Sequence, residues 1–109
     1  MSMHTYALAT VDISEDADLT NAVDIRGYVT FALLVPSTLN GTEIKLHVSY
    51  DNATYYPLYS ASNAHVAHTI TASTAQPLSS LLPPWPWMKI ETTTDQADTD
   101  TEFVVVMSS

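Results

Sequence analysis

The chain is predicted to be all-β, about eight short antiparallel strands arranged as a sandwich or barrel. Three observations carry this. Period-two alternation of apolar and polar residues recurs from end to end. No stretch of ten or more residues keeps a 3.6-residue apolar period, and turn signals punctuate the chain at the short, regular spacing of a β-domain.

The elements follow in order. His4 to Ile13 and Leu19 to Ile25 are strand-like, separated by the acidic, turn-prone run Ser14-Glu15-Asp16-Ala17-Asp18. The apolar phase slips between Leu8 and Val11, which predicts a bulge. Tyr28 to Val35 is apolar on both faces, with Val29, Phe31, Leu33 and Val35 on one of them, and is expected to be a central strand. Pro36 ends it because proline cannot donate to a ladder, and Asn40-Gly41 supplies positive φ angles for a tight turn into the next strand. Glu43 to Tyr50 then alternates cleanly: Ile44, Leu46, Val48 and Tyr50 fall on a dry face, and Glu43, Lys45, His47 and Ser49 on a wet one.

Further strands are predicted over Thr54 to Tyr59, His65 to Ala72, Trp87 to Thr93 and Glu102 to Ser108. The last contains Phe103-Val104-Val105-Val106-Met107, suited to burial on both faces. Ser73 to Trp85 carries Pro77, Pro83 and Pro84 and reads as a crossing loop, with Leu78, Leu81 and Leu82 tucked beneath it. Thr94 to Thr101 reads as a solvated hairpin loop. No internal repeat is visible, and residues 1–109 are expected to form one domain.

Composition excludes several function classes. The formal charge is −9, with twelve carboxylates against Arg26, Lys45 and Lys89. Nucleic-acid binding draws on Lys and Arg to neutralise phosphates, so neither nucleic acid nor an anionic membrane is an expected partner. Cysteine is absent, which removes disulfides, thiolate metal sites and thiol nucleophiles. The opening MSMHTYALAT has no cationic segment followed by an apolar run, and no later stretch approaches a membrane span, so synthesis in the cytosol is expected. Asn40-Gly41-Thr42 and Asn52-Ala53-Thr54 match the glycosylation triplet but read as turns.

No catalytic constellation emerges. Gly27 and Gly41 are the only glycines, so there is neither a nucleophile elbow nor a phosphate-cradling loop, and no enzyme activity and no cofactor are expected. His65 and His68 are three apart, which on a strand sends them to opposite faces and prevents a shared metal site. His68 shares its face with Val66 and Ile70 and is expected as a partly buried, hydrogen-bonded residue. Asp95, Asp98, Asp100 and Glu102 are the best hard-cation candidates. Their spacing matches no EF-hand, so they read first as a solvated acidic loop.

The candidate contact residues are aromatic. Tyr55, Tyr56 and Tyr59 crowd into five positions, and alternation sends Tyr55 and Tyr56 to opposite faces, with Tyr59 on the face of Tyr55. Trp85 sits on a loop stiffened by Pro83, Pro84 and Pro86. Trp87 opens a strand whose inward face is Met88 and Ile90, so Trp87, Lys89 and Glu91 point outward. An exposed tryptophan on a rigid loop loses little entropy on docking, which makes Trp85, Trp87, Tyr56 and Tyr59 the interface or ligand-contact candidates. The competing expectation is that Trp85 folds back to cap an open end of the domain.

Several segments recur in a known order. "S-x-x-x-x-L-x-x-A-V-D-I-x-G-Y" (Ser14 to Tyr28) leads to a strand closing in "V-P-S", then to "V-S-Y-D-N-A-T-Y-Y-P-L" (Val48 to Leu58), a proline-containing crossing, "W-M-K-I-E-T" (Trp87 to Thr92) and a valine-rich strand. The chain thereby resembles short single-domain virion proteins of tailed bacteriophages, in which "S-x-D-G-x-x-Y-x-x-L" and "R-x-L-K-I-R-S" type segments fill the same places. It departs from them at Asn52-Ala53, where a glycine is common, and in its apolar proline-tryptophan loop.

The resemblance implies an antiparallel two-sheet β-sandwich, jelly-roll-like, with no catalytic residues. It makes Tyr55 and Leu58 scaffold positions. It also implies a capsid decoration or cement protein on the exterior of the virion head, whose partners are the major capsid protein and copies of itself, as a homotrimer. The alternative is a carbohydrate- or host-receptor-binding module of a tail or fibre, in which Tyr56, Tyr59, Trp85 or Trp87 stack on sugar rings.

Overall fold

A computed structural model describes residues 6–13, 18–79, 82, 85–92, 96 and 101–108. Nine strands are present among them: β1 (Tyr6–Ile13), β2 (Val23–Asp24), β3 (Thr30–Leu34), β4 (Glu43–Ser49), β5 (Tyr56–Pro57), β6 (Ala67–Thr69), β7 (Ala75–Pro77), β8 (Trp87–Thr92) and β9 (Thr101–Ser108). They form two antiparallel sheets that pack face to face as a sandwich. One has the order β1-β9-β3-β7, and the other β2-β8-β4-β5, with β6 also on β4. The all-β, two-sheet expectation is met. β5 and β6 divide one edge of β4 between them, β6 pairing with Glu43 to Lys45 and β5 with His47 and Val48.

The core lies between the sheets and is filled by alternate residues. Phe31 and Leu33 of β3, Ile44, Leu46 and Val48 of β4, Met88 and Ile90 of β8, and Phe103, Val105 and Met107 of β9 are all buried. These are β-branched, aromatic or long apolar side chains on the inward phase of each pleat. Fully burying each contributes about 1.5 to 3 kcal/mol. Pro57 and Pro77 both stand in strands that are sheet edges, where a missing N–H costs no ladder bond.

Several local expectations are corrected. β1 and β9 pair in unbroken register from Tyr6–Ser108 to Ile13–Thr101, so there is no bulge. The inward positions of β1 are Ala7, Ala9, Val11 and Ile13, and Leu8 points out, 70 % exposed. Small alanines continue the inward phase where hydrophobicity alone suggested a slip. Leu19 to Ile25 holds only two strand residues, β2, plus an isolated bridge from Leu19 to Glu91. Of Asn40-Gly41, only Gly41 has positive φ (92°), and the segment does not close a hairpin: β3 and β4 belong to different sheets.

The inward phases also end sooner than expected. Tyr50 is 67 % exposed and Val29 59 % exposed, because each lies just beyond its strand. Val104 and Val106 are half-buried, so β9 is dry on one face only. Thr54 to Tyr59 and His65 to Ala72 shrink to two and three strand residues. Ser73 to Trp85 includes the short strand β7; Leu78 and Leu82 are buried there, and Leu81 lies outside the described residues. Gln96 and Thr101, read as parts of a solvated loop, are both buried.

Candidate functional site

β4 and β8 are neighbours in the five-stranded sheet, and their outward residues line its outer face, where Lys45, His47, Lys89 and Glu91 are half-buried and Ser49, expected on the wet face, is buried. Register sets Lys45 opposite Glu91, His47 opposite Lys89 and Ser49 opposite Trp87. Diagonal neighbours on such a face are within reach of long side chains. Glu91 Oε1 accordingly lies 2.7 Å from His47 Nε2, which donates to it. Beyond His47, an isolated bridge sets Tyr59 beside His65. The Tyr59 and His65 rings stack with centroids 5.7 Å apart and an interplanar angle of 10°, and the His47 ring meets His65 edge-on at 5.1 Å. His65 Nε2 is 2.9 Å from the Leu46 carbonyl; a carbonyl only accepts, so this nitrogen carries the proton.

The chain's three basic residues all serve this side of the sandwich. Lys45 stands on β4. Lys89 Nζ lies 4.5 Å from the centroid of Tyr55, and the Arg26 guanidinium 5.3 Å from that of Trp87. Exposed cation–π contacts of this kind contribute about 0.5 to 1 kcal/mol each. Arg26 also pairs with Asp24 through two side-chain hydrogen bonds, and that guanidinium holds the Asp24 carboxyl below its ordinary range.

The turn that delivers Tyr55 is built by its own side chains. Ser49 Oγ accepts the N–H groups of Asp51 and Asn52 and donates to Asp51 Oδ1, which in turn accepts from the Ala53 and Thr54 amides. Those two amides and the Ser49 hydroxyl depress the Asp51 pKa. Asn52 adopts φ 57°, the left-handed conformation for which glycine is favoured and which asparagine tolerates. The Tyr55 hydroxyl donates to Asn52 Oδ1, and burial, with the charge of Asp51 second, pushes the Tyr55 pKa up.

The predicted contact residues are dispersed. Trp87 is half-buried on the outer face beneath Arg26. Trp85 is also half-buried, but it packs against the core, its amide bonded to the Leu82 carbonyl. Tyr56 and Tyr59 are each 51 % exposed at the β5 edge. Tyr56 pairs with Val48 and Tyr59 bridges to His65, so they point to opposite sides of the sheet. Asp95, Asp98 and Asp100 lie outside the described residues. Glu102 is exposed on β9 opposite Asp12, in the other sheet. Among the described residues no group of three or more His, Asp or Glu side chains is placed to hold a metal ion.

His68 is partly buried on the inward face, as expected, but lacks the hydrogen bond expected at Nε2. It pairs with Ile44 and so shares the inward side, and that nitrogen is buried with no partner among the described residues. Burial lowers its pKa.

A second surface is the outer side of the four-stranded sheet. Register aligns Leu8, Val106, Ala32 and Pro77 in one cross-strand row, and Thr10, Val104, Leu34 and Ala75 in the next. Seven of these eight residues are apolar, and none is buried. Sequence reading missed this surface. The outward alternation of β9 carried its signal, but that strand was expected to be covered on both sides.

Among the described residues no helix is long and apolar enough to cross a membrane. The chain matches no protein-family model and no curated protein sequence. Solved structures do match. The SPBc2 prophage-derived protein YomS superposes with a TM-score of 0.67 at 9 % identity, over 100 % of this chain and 97 % of that one. A structure of disulfide-linked pili, the endospore appendages of Bacillus, gives a TM-score of 0.45 at 11 % identity, over 98 % and 89 % of the two chains. At such identities the YomS likeness is one of fold: from end to end, this chain folds as a prophage-derived protein does.

Proposed function

We propose that the protein is a structural component of a bacteriophage particle: a decoration or cement protein that binds the major capsid protein on the outer surface of the head and stabilises it as an oligomer. The observation that carries this reading is the end-to-end fold likeness to a prophage-derived protein. The first four strands alternate between the sheets, β1 and β3 in one, β2 and β4 in the other, an arrangement compatible with a jelly-roll-like sandwich. The apolar rows of the four-stranded sheet supply a surface of the kind that marks interaction sites, and the coat is its occupant. Electron microscopy of purified virus tests the reading. Density for the protein in many regular copies over the head supports it; absence from the particle overturns it.

The second reading, a glycan- or receptor-binding module, draws on the exposure of Tyr56 and Tyr59. Its weakness is that Tyr59, Tyr55 and Trp87 each have a ring face taken by His65, Lys89 or Arg26. The same images separate the two: few copies, confined to a tail or fibre, favour the module.

A further inference from the structure

His47 and His65 meet on the outer face of the five-stranded sheet because of the register between β4 and β6. That ladder runs Glu43–Thr69, Ile44–His68 and Lys45–Ala67, and continued along the same register it sets His47 opposite His65, on the side that Lys45 and Ala67 share. The two rings stand edge to face, with centroids 5.1 Å apart and planes at 87°. Each ring has one nitrogen already committed. His65 Nε2 donates to the Leu46 carbonyl at 2.9 Å, and His47 Nε2 donates to the Glu91 carboxylate at 2.7 Å. A neutral imidazole that donates from Nε2 carries its lone pair on Nδ1, so the pair offers two nitrogen lone pairs of the same kind. Neither Nδ1 has a hydrogen-bond partner among the described residues, and neither is sealed from water; the buried, unpartnered nitrogen there is His68 Nε2.

These are the surroundings that metal-binding histidines have. A ligating histidine donates its other N–H to a carboxylate or a backbone carbonyl, which fixes the tautomer and the ring and makes the free nitrogen more basic. Here one ring has the carboxylate and the other the carbonyl. Tyr59 stacks on His65 with centroids 5.7 Å apart, which holds that ring by its face and leaves the in-plane lone pair open. The spacing also suits a shared ion: two imidazoles on one tetrahedral centre, each nitrogen about 2.0 to 2.1 Å from it, have ring centres about 5 Å apart.

We propose that His47 and His65 bind one divalent transition-metal ion, of the zinc, copper or nickel class, through their Nδ1 atoms, with water completing the coordination. Imidazole nitrogen selects this class over calcium and magnesium, which take oxygen ligands. Glu91 is a positioning residue, since its carboxylate orients His47 and offsets the charge of the ion. Lys89, the cation opposite His47, is drawn over the Tyr55 ring, and Lys45 faces Glu91. The net charge of −9 favours cation uptake by the molecule as a whole. The ion ties the segment between β5 and β6 to β4. This site is separate from the acidic loop and from the His65–His68 pair, whose members the strand sends to opposite faces.

The test uses the full chain and zinc chloride, and does not depend on the virion reading. Titration calorimetry should find one zinc ion per chain, and zinc at about a hundred times its dissociation constant should raise the melting temperature by about 10 °C. His47→Ala and His65→Ala should each lose that uptake with the circular dichroism of the folded chain unchanged. Glu91→Gln keeps an acceptor for His47 but removes the charge, and should weaken binding roughly tenfold. His4→Ala should bind as the wild type does. Imidazole nitrogen NMR of the wild-type chain reads the site directly and decides the matter even where an alanine variant unfolds: zinc should shift the Nδ1 resonances of His47 and His65 and leave those of His68 in place. No uptake by the wild type, uptake that survives replacement of both His47 and His65, or shifts confined to Nε2 atoms would each overturn the proposal.

Discussion

Gln96 offers the sharpest test of how the loops are held. It is fully buried in a polar stretch. Its Oε1 accepts the Asn40 amide at 2.9 Å and the Thr101 hydroxyl at 3.0 Å, and its Nε2 donates to the Asn40 carbonyl at 3.0 Å. One side chain therefore holds both backbone groups of Asn40 and ties the β3–β4 crossing to the start of β9. Gln96→Ala removes these three hydrogen bonds, each with a net worth of about 0.5 to 1.5 kcal/mol, so the expected loss is about 2 to 3 kcal/mol. Urea unfolding should show a lower midpoint with an unchanged slope, and thermal unfolding a fall of about 10 °C. Gln96→Glu keeps the shape but aims a carboxylate oxygen at the Asn40 carbonyl. Its pKa in the folded state is raised by burial, so the penalty is absent below the unfolded value of about 4.3 and grows as pH rises above it. At pH 7 this variant should be less stable than Gln96→Ala, and near pH 4 it should approach wild type. Losses under about 0.5 kcal/mol for Gln96→Ala, or a Gln96→Glu variant indifferent to pH, would refute the reasoning.

Three further outcomes are expected. Ser49→Ala removes the hydroxyl that gathers the Asp51 and Asn52 amides and should cost about 1 to 2 kcal/mol in denaturant unfolding; an unchanged midpoint would mean that the turn holds without it. His68 has a folded pKa depressed by burial below its ordinary 6.5, so stability should fall as pH drops from that value toward the folded pKa, and His68→Leu should flatten the slope. A persistent slope in that variant would assign it to other groups. Trp85→Ala should lower stability by about 2 to 3 kcal/mol, short of the cost at a fully buried site, while Trp87→Ala should cost about 1 kcal/mol from its contact with Arg26; calorimetry giving the reverse order would contradict these placements.

Strand faces were legible where alternation is clean. Ile44, Leu46 and Val48, and Met88 and Ile90, are buried as their phase requires. Partner choice was not. Asn40-Gly41 has the chemistry of a turn, but nothing local states that β3 and β4 join different sheets. Hydrophobicity misplaced β1, because Leu8 is outside while Ala7 and Ala9 are inside, and the pairing with β9 decides direction. The same limit governs the candidate surface. The wet face of His47 and the outward phase of Lys89 and Glu91 could be read off the chain, but the meeting of His47 with Glu91, or of Lys89 with Tyr55, depends on register between strands some forty residues apart. Gln96 was hidden because its burial depends on the backbone of Asn40, fifty-six residues upstream.

The strand order also sets a timetable for folding. β9 lies between β1 and β3, and β8 between β2 and β4, so the centre of each sheet arrives last along the chain. Before then β1 and β2 have no strand to pair with, and only the neighbourhood of β4, β5 and β6 can close by short loops. Contacts of such high sequence separation are slow to form, because loop-closure entropy is lost before any pairing compensates it. In that interval Val11, Ile13, Phe31 and Leu33 face water on strands able to pair with the wrong chain. The net charge of −9 then matters most, since mutual repulsion keeps unfinished copies apart until the last strand arrives.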